Sequence, residues 1–229
     1  MVRVFCKLTN SFVSSVDRGV FFSLEKYIMD SGEGADKDSF DVIKSRLQNP
    51  PVLCAREFAF EVFYVILASG FRQKVAKQKF LQIVKFIDDG GEVVPENLIK
   101  IFGNKNKINA ICKVWKYRDL YRDDFYRITD VDEKLNYLEK LPYIGAITKN
   151  HIARNLGINK VKYDVWIQRL GVALYGDEGD VVGSPLSLKT KAVCDKMFEF
   201  VSSQTGLCIG YIDVVLWKSC QLGLLEFRE

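Results

Sequence analysis

Residues 57–69, with the sequence EFAFEVFYVILAS, are apolar on almost every face of the helix that they would form. Such a helix must be surrounded by other helices, because any face left in water would expose a row of large side chains. Elsewhere, apolar residues recur with the helical period, and alternating, strand-like runs are few. The sequence therefore predicts an all-α protein with a helical bundle around residues 57–69.

The breaks in this pattern indicate two helical subdomains. An Asn-Pro-Pro break at 49–51 precedes the apolar helix, and a Gly at 157 ends a later helical segment. We expect residues 57–158 to form a central helical bundle, and residues 1–56 together with 159–229 to form a second subdomain built from both termini. A ligand is expected in a cleft between the two subdomains.

The length, composition and cysteine spacing argue against several classes of protein. The chain has 229 residues, 48% of them hydrophobic, which is enough for one large core or two small domains. The six cysteines form no CxxC pair or other close spacing, which argues against structural zinc, an iron–sulfur cluster or a disulfide framework. We expect reduced thiols and a cytoplasmic protein, or a nuclear one in a eukaryote.

Membrane insertion and secretion are not expected either. The first residues, MVRVFCKLTNSFV, do not have the pattern of a signal peptide. The best apolar run, at 58–68, contains an acid and is too short to cross a bilayer.

The formal net charge is only +4, so an anionic partner must be held by local groups of Lys and Arg. Each such group alone is typical of a solvated helix face, but three groups together favour an anionic partner. They are Arg72, Lys74, Lys77, Lys79 and Lys85; Lys100, Lys105, Lys107, Lys113, Lys116 and Arg118; and Lys140, Lys149, Arg154, Lys160, Lys162 and Arg169. Asp164 is the only acid within the third group.

The stretch LPYIG at 141–145 predicts a tight turn between two helices. Pro142 ends the first helix, and Gly145 allows the chain to turn before a second helix resumes at Ala146. The amides at the start of that helix, with the positive end of its dipole, form a ready site for a phosphate. Lys140 and Lys149 would add charge there.

Asp164 lies in YDVWIQRL, before a segment with helical spacing of apolar residues. It is therefore expected at the N-cap or first turn of a helix, where the dipole stabilises its negative charge. An Asp at such a position usually serves only as a cap. A phosphate-binding turn and a group of cations beside it favour a second role.

Together, LPYIG and YDVWIQRL resemble the helix-hairpin-helix (HhH-GPD) DNA glycosylase superfamily. The superfamily pattern is a hydrophobic-Pro-Gly-hydrophobic-Gly hairpin, then a helix, then a segment containing an Asp and ending in Arg-Leu. The resemblance is specific over residues 141–170. Weaker likenesses extend it: FAFEVFYVILASGFRQKVA resembles the helix before the DNA-probing loop, and GYIDVVLW resembles the closing helix.

This resemblance implies a base-excision repair enzyme that hydrolyses the N-glycosidic bond of a damaged base flipped out of duplex DNA. Asp164 would be the catalytic carboxylate, with Asp213 as a weaker rival. The residues expected to bind DNA are Leu141, Tyr143, Gly145, Ile147, Thr148, Lys149 and Lys140. The candidates for a base pocket or for a wedge between bases are Phe71, Arg72, Trp166, Tyr211 and Trp217.

Two positions depart from the superfamily pattern. Tyr143 replaces the first hairpin glycine, so the geometry of the hairpin is in question. Ile147 stands where strand-cleaving members have a Lys that forms a Schiff base with DNA. Lys149 is two residues further along and turned about 200° round the helix, so it is a poor substitute. A monofunctional glycosylase is the natural inference.

The resemblance further implies a monomer that acts on double-stranded DNA, without a metal or cofactor. It leaves the damaged base open, with a slight preference for an oxidised purine, since the chain resembles the 8-oxoguanine and 3-methyladenine glycosylases. Two alternatives stay open: a bifunctional glycosylase/lyase that uses Lys149 or another lysine, and a non-catalytic helix-hairpin-helix module that only binds DNA.

Overall fold

The computed structural model of the protein describes residues 2–32, 37–177, 180–183 and 185–228. Across these residues it has twelve helices and three short strands, so the predicted all-α class is confirmed apart from a small sheet. The chain divides into two compact units: unit 1 comprises residues 1–47 and 159–229, and unit 2 comprises residues 48–158. Unit 2 begins at Gln48 and not at residue 57, so the Asn-Pro-Pro break lies within it.

Unit 1 is built from both ends of the chain. Its elements are β1 (Arg3–Cys6), β2 (Ser11–Val13), α1 (Arg18–Asp30), α2 (Phe40–Gln48, whose last residue belongs to unit 2), α10 (Val165–Tyr175), α11 (Leu188–Thr205), α12 (Ile209–Gln221) and β3 (Leu225–Arg228). Helix α12 lies at the centre of the unit, and most of its side chains are buried.

The three strands form one antiparallel sheet in the order β2-β1-β3. In β1, Val4 pairs with Val13 on one side and with Phe227 on the other. The sheet therefore joins the two ends of the chain. Strands of three or four residues are too short to show the alternation by which strands are recognised in a sequence.

Helices α10 and α11 approach each other closely at Gly171. A Cβ atom at this position would lie 2.7 Å from the Sγ atom and 3.1 Å from the Cα atom of Cys194. The Cys194 thiol also donates to the carbonyl of Ile167, with a sulfur–oxygen distance of 3.7 Å. The absence of a side chain at Gly171 therefore allows α10, the helix that begins just after Asp164, to pack closely against α11.

We expect Gly171→Ala to lower the free energy of unfolding by about 1–2 kcal/mol, because the strain of overpacking exceeds the gain in helix propensity. Urea unfolding measures this change. Gly183→Ala is the matched control in the same unit, since a Cβ there would meet no atom within 4 Å. Equal stability of Gly171→Ala and wild type would contradict the close approach.

Unit 2 is a helical bundle. Its elements are α3 (Ala55–Ala68), α4 (Gln73–Asp88), α5 (Pro95–Leu98), α6 (Lys105–Lys116), α7 (Arg118–Arg127), α8 (Val131–Glu139) and α9 (Thr148–Asn155). Helix α3 is buried along most of its length, as the sequence predicted. A capping box formed by Cys54 and Glu57 begins it. Its one buried acid, Glu61, accepts a hydrogen bond of 3.1 Å from the amide of Asn155.

In the described part of the chain, no single helix is long and apolar enough to cross a bilayer. Helices α11 and α12 reach that length and composition only when joined, and they are bent by 105° at the break between them. Among the same residues, no group of three or more His, Cys, Asp or Glu side chains could hold a metal ion.

Candidate functional site

Asp164 is the N-cap of α10, as the sequence predicted. Its backbone is extended, with φ −80° and ψ 179°, and its Oδ1 atom accepts hydrogen bonds from the amides of Trp166 and Ile167 at 3.0 and 3.3 Å. The side chain is 15% exposed. The carboxylate is thus fixed by one oxygen, while the other oxygen is directed away from these amides.

That second oxygen, Oδ2, lies 3.5 Å from the Nζ atom of Lys162. The Lys162 ammonium also lies 6.0 Å from the ring centre of Trp217. Carboxylate, ammonium and indole therefore form one cluster in unit 1. The cluster includes Trp217, a predicted pocket residue, and Lys162, which was predicted only as one member of the third group of cations.

The backbone that carries Asp164 is held on both sides. The amide of Lys162 donates to Oδ2 of Asp213 at 3.1 Å, and the side-chain amide of Gln168 donates to the carbonyl of Tyr163 at 2.9 Å. Asp213 and Gln168 are both buried. Asp213 was the rival catalytic carboxylate, and in the structure it supports the segment that presents Asp164.

Tyr163, next to Asp164, is held by a hydrogen bond to an acid that is itself paired with a lysine. Its hydroxyl donates to Oδ1 of Asp195, whose Oδ2 pairs with Lys191 Nζ at 2.6 Å. Burial, followed by the hydrogen bond to Asp195, raises the pKa of Tyr163 well above its ordinary value. Tyr163 therefore stays a neutral donor at physiological pH and restrains the neighbouring backbone.

The remaining predicted pocket residues of unit 1 lie elsewhere. The indole of Trp166 stacks on Phe227 of β3, with the ring centres 6.4 Å apart. Tyr211 is 1% exposed, and its hydroxyl donates to the half-buried carboxylate of Glu25. The prediction that Tyr211 lines a base pocket is not supported, because α12 buries this ring among the core side chains.

In unit 2, residues 141–145 form the hairpin that the sequence predicted. Tyr143 has φ +66°, the left-handed conformation that normally selects glycine. The backbone at Tyr143 therefore has a conformation that glycine would adopt without strain. A tyrosine in this conformation costs roughly 1–2 kcal/mol, which points to a use for its side chain.

The other hairpin residues have distinct surroundings. Leu141 is buried and anchors the turn, while Lys140 is exposed at the end of α8. The Thr148 hydroxyl accepts from the Gly145 amide at 2.8 Å. Ile147, at the N-cap of α9, supplies no side-chain acceptor, and the Lys149 amide donates to the Gly145 carbonyl at 2.9 Å.

The Lys149 ammonium is held in an ion pair with Glu139. Its Nζ atom lies 2.5 Å from Oε2 of Glu139, and its side chain is 19% exposed. A contact between this ammonium and a DNA phosphate would require the pair to open. Lys149 was the lysine named in the bifunctional alternative, and in the structure its ammonium is paired with Glu139.

The predicted wedge residues Phe71 and Arg72 lie in the loop between α3 and α4, and both are exposed. Beneath Phe71 lies Lys107 of α6, which is 1% exposed. Its Nζ atom donates to the carbonyls of Leu67 and Ser69 at 3.1 and 2.5 Å. These bonds satisfy carbonyls at the end of α3 that have no partner within the helix.

Burial lowers the pKa of Lys107 to about 8, from an ordinary value of 10.5. Between pH 8 and pH 10.5 this lysine is mostly protonated in the unfolded chain and mostly neutral in the folded one. The unfolded chain therefore binds more protons, and folding becomes more favourable as the pH rises. We expect the stability of wild type relative to Lys107→Met to increase by on the order of 1 kcal/mol between about pH 7 and about pH 10. Urea unfolding of both proteins measures this difference, and a difference that does not change with pH would contradict it.

Sequence analysis missed the individual roles of Lys162 and Lys107 for different reasons. Lys162 stands two residues before Asp164 in a run of cations, and this spacing was a usable signal. Lys107 carried no signal, because its partners are carbonyl groups 40 and 38 residues away in sequence.

No protein-family model matches the sequence, and no curated protein matches it. Solved structures match in fold. An 8-oxoguanine glycosylase/lyase of Methanocaldococcus jannaschii, in complex with 15mer DNA containing 8-oxoguanine, aligns with a TM-score of 0.63 and 18% identity over 90% of this chain and 98% of that chain. A second crystal structure of 8-oxoguanine DNA glycosylase from the same organism gives a TM-score of 0.64 and 18% identity, over 90% and 94% of the two chains.

The 8-oxoguanine DNA glycosylase of Thermotoga maritima gives a TM-score of 0.60 and 16% identity over 87% of this chain and 94% of that chain. These likenesses extend over nearly the whole of each chain. They confirm the fold that the resemblance in residues 141–170 implied.

Proposed function

We propose that this chain is a DNA N-glycosylase that removes a damaged base from duplex DNA, with Asp164 as its catalytic carboxylate. The observation that carries the proposal is the geometry of Asp164: one oxygen is bound by two backbone amides, and the other faces Lys162. A carboxylate held in this way keeps its position while charge develops beside it. The fold shared with three solved 8-oxoguanine DNA glycosylases supports the proposal.

The chemistry follows from the charge of the leaving base. When the N-glycosidic bond breaks, the base takes the bonding electrons and positive charge remains on the sugar at C1′. The Asp164 carboxylate stabilises that charge, or orients the water that attacks C1′. Lys162 holds Oδ2 in one position in the absence of DNA.

Binding of the DNA backbone is assigned to the hairpin of unit 2. The first amides of α9 lack a side-chain acceptor at the N-cap, and the exposed Lys140 precedes the turn. These groups suit a phosphate, which carries no information about the base sequence. Recognition of the damaged base is therefore a task for other residues.

We further propose that the enzyme is monofunctional. Ile147 has no amine for a Schiff base, and the Lys149 amine is paired with Glu139. The M. jannaschii protein is described as a glycosylase/lyase. This chain shares that fold, but at the position of the superfamily lysine it lacks the group that a lyase needs.

Among substrates, we propose an oxidised purine, with 8-oxoguanine first. The structures that match in fold are described as 8-oxoguanine glycosylases. The experiment is a panel of duplex oligonucleotides that each carry one damaged base: 8-oxoguanine, an alkylated purine, uracil, or thymine in a mismatch. Hot alkali after incubation converts each abasic site into a strand break that gel electrophoresis counts.

Alkali-dependent breaks at one lesion would establish the activity and name the base. Breaks without alkali would support the bifunctional alternative. Binding to every duplex without any base release would support the non-catalytic module and remove the catalytic proposal.

A further inference from the structure

Two exposed aromatic rings of unit 2 lie above the same buried ammonium. The Lys107 Nζ atom is 4.4 Å from the ring centre of Phe71 and 5.6 Å from that of Tyr143. Phe71 is 43% exposed and Tyr143 is 46% exposed. The loop after α3 and the hairpin, more than seventy positions apart in sequence, thus each place one ring at the same surface.

Both rings are held from below. Phe71 packs edge-on against Phe102, with ring centres 5.1 Å apart. Lys107, fixed by two carbonyl groups, contacts the faces of the rings by cation–π attraction. Rings fixed in this way bind a flat ligand without losing much conformational freedom.

The conformation of Tyr143 strengthens the case for a ligand. Glycine would adopt φ +66° at this position without strain, so the backbone gains nothing from a tyrosine. A strained residue with a half-exposed ring is typical of a functional contact. The surroundings are cationic, with the exposed Arg72 next to Phe71 and the exposed Lys140 shortly before Tyr143.

We propose that Phe71 and Tyr143 form a stacking surface for an unpaired nucleobase of DNA, such as one left without a partner when the damaged base is removed from the stack. Every nucleobase presents a flat π face to such rings, and the cations would hold the adjoining phosphates. The proposal rests on the proposed DNA glycosylase function. It gives Tyr143 a base contact in addition to the backbone contact expected of the hairpin.

The test compares two duplexes of identical sequence: one intact, and one with a tetrahydrofuran abasic analogue opposite a normal base. Phosphate contacts are common to both, whereas an unpaired base exists only in the second. We expect wild type to bind the second duplex about 5- to 100-fold more tightly. Tyr143→Gly is expected to lose most of this preference, because glycine keeps the amides of the hairpin and removes the ring.

Three comparisons control for folding, for the ring itself and for its place in the protein. Tyr143→Gly removes the backbone strain, so its melting temperature is expected to be at least that of wild type. Tyr143→Phe keeps the ring and is expected to keep the preference. Tyr27→Ala removes an equally exposed ring from unit 1, at 49% exposure, and is expected to change neither affinity.

A full preference in Tyr143→Gly would overturn the stacking surface, as would an equal loss of affinity for both duplexes, which would reduce Tyr143 to a backbone contact. In either case, base release from the lesion panel would leave the proposed function standing. Failure of wild type to bind any duplex or to release any base would overturn both.

Discussion

Asp164→Asn is expected to slow base release by a factor on the order of 10²–10⁴, because the sugar cation loses its negative partner. The fold is expected to survive, since asparagine caps a helix about as well as aspartate. Oδ1 of the new side chain can still accept from the amides of Trp166 and Ile167. Single-turnover base release, measured on the lesion that wild type cleaves, gives the ratio of rates.

Asp17→Asn is the matched control. Asp17 caps α1 in the same unit, with φ −73° and ψ 179°, and its side chain accepts from the amide of Val20. The same chemical change at this second cap is expected to leave base release unaltered. Nearly wild-type activity of Asp164→Asn, with unchanged DNA binding, would show that Asp164 is only a helix cap.

Ile147→Lys is expected to give a protein that forms a covalent adduct with DNA. Once the base leaves, a lysine at the superfamily position can condense with C1′ of the opened sugar, and water leaves as the imine forms. Borohydride reduces this imine to a stable amine, which joins protein and DNA. We expect no adduct with wild type and an adduct that gel electrophoresis detects readily with Ile147→Lys.

Ile147→Met has a side chain of similar size without an amine, and it is expected to give no adduct. An adduct with wild type would refute the monofunctional proposal. Lys162→Met and Lys149→Met would then identify the amine, because Lys162 lies beside Asp164 and the Lys149 ammonium is paired with Glu139.

Local sequence patterns predicted those parts of the site that depend on neighbours along the chain. The cap role of Asp164 follows from the helical spacing after it, and the hairpin follows from Pro142 and Gly145. The conformation of Tyr143 was not predicted, because the loss of a glycine there left the geometry of the hairpin in question; the structure gives this residue φ +66°.

Contacts between distant residues could not be predicted in this way. The partners of Lys107 are carbonyl groups of another helix, and the strands β1 and β3 are too short to show a period. Tyr211 is a different case. Its segment, GYIDVVLW, is almost as apolar as residues 57–69, and the same reasoning would have placed it in the core.

The pairing of β1 with β3 has a consequence for synthesis on the ribosome. Unit 2 is a continuous segment, so all of its contacts are available once residue 158 has been made. The sheet of unit 1 forms completely only after β3 has been made, because Arg3 pairs with Arg228 and Cys6 with Leu225. The nascent chain can therefore complete its hairpin unit first, whereas β1 has only β2 beside it until residues 225–228 have been made.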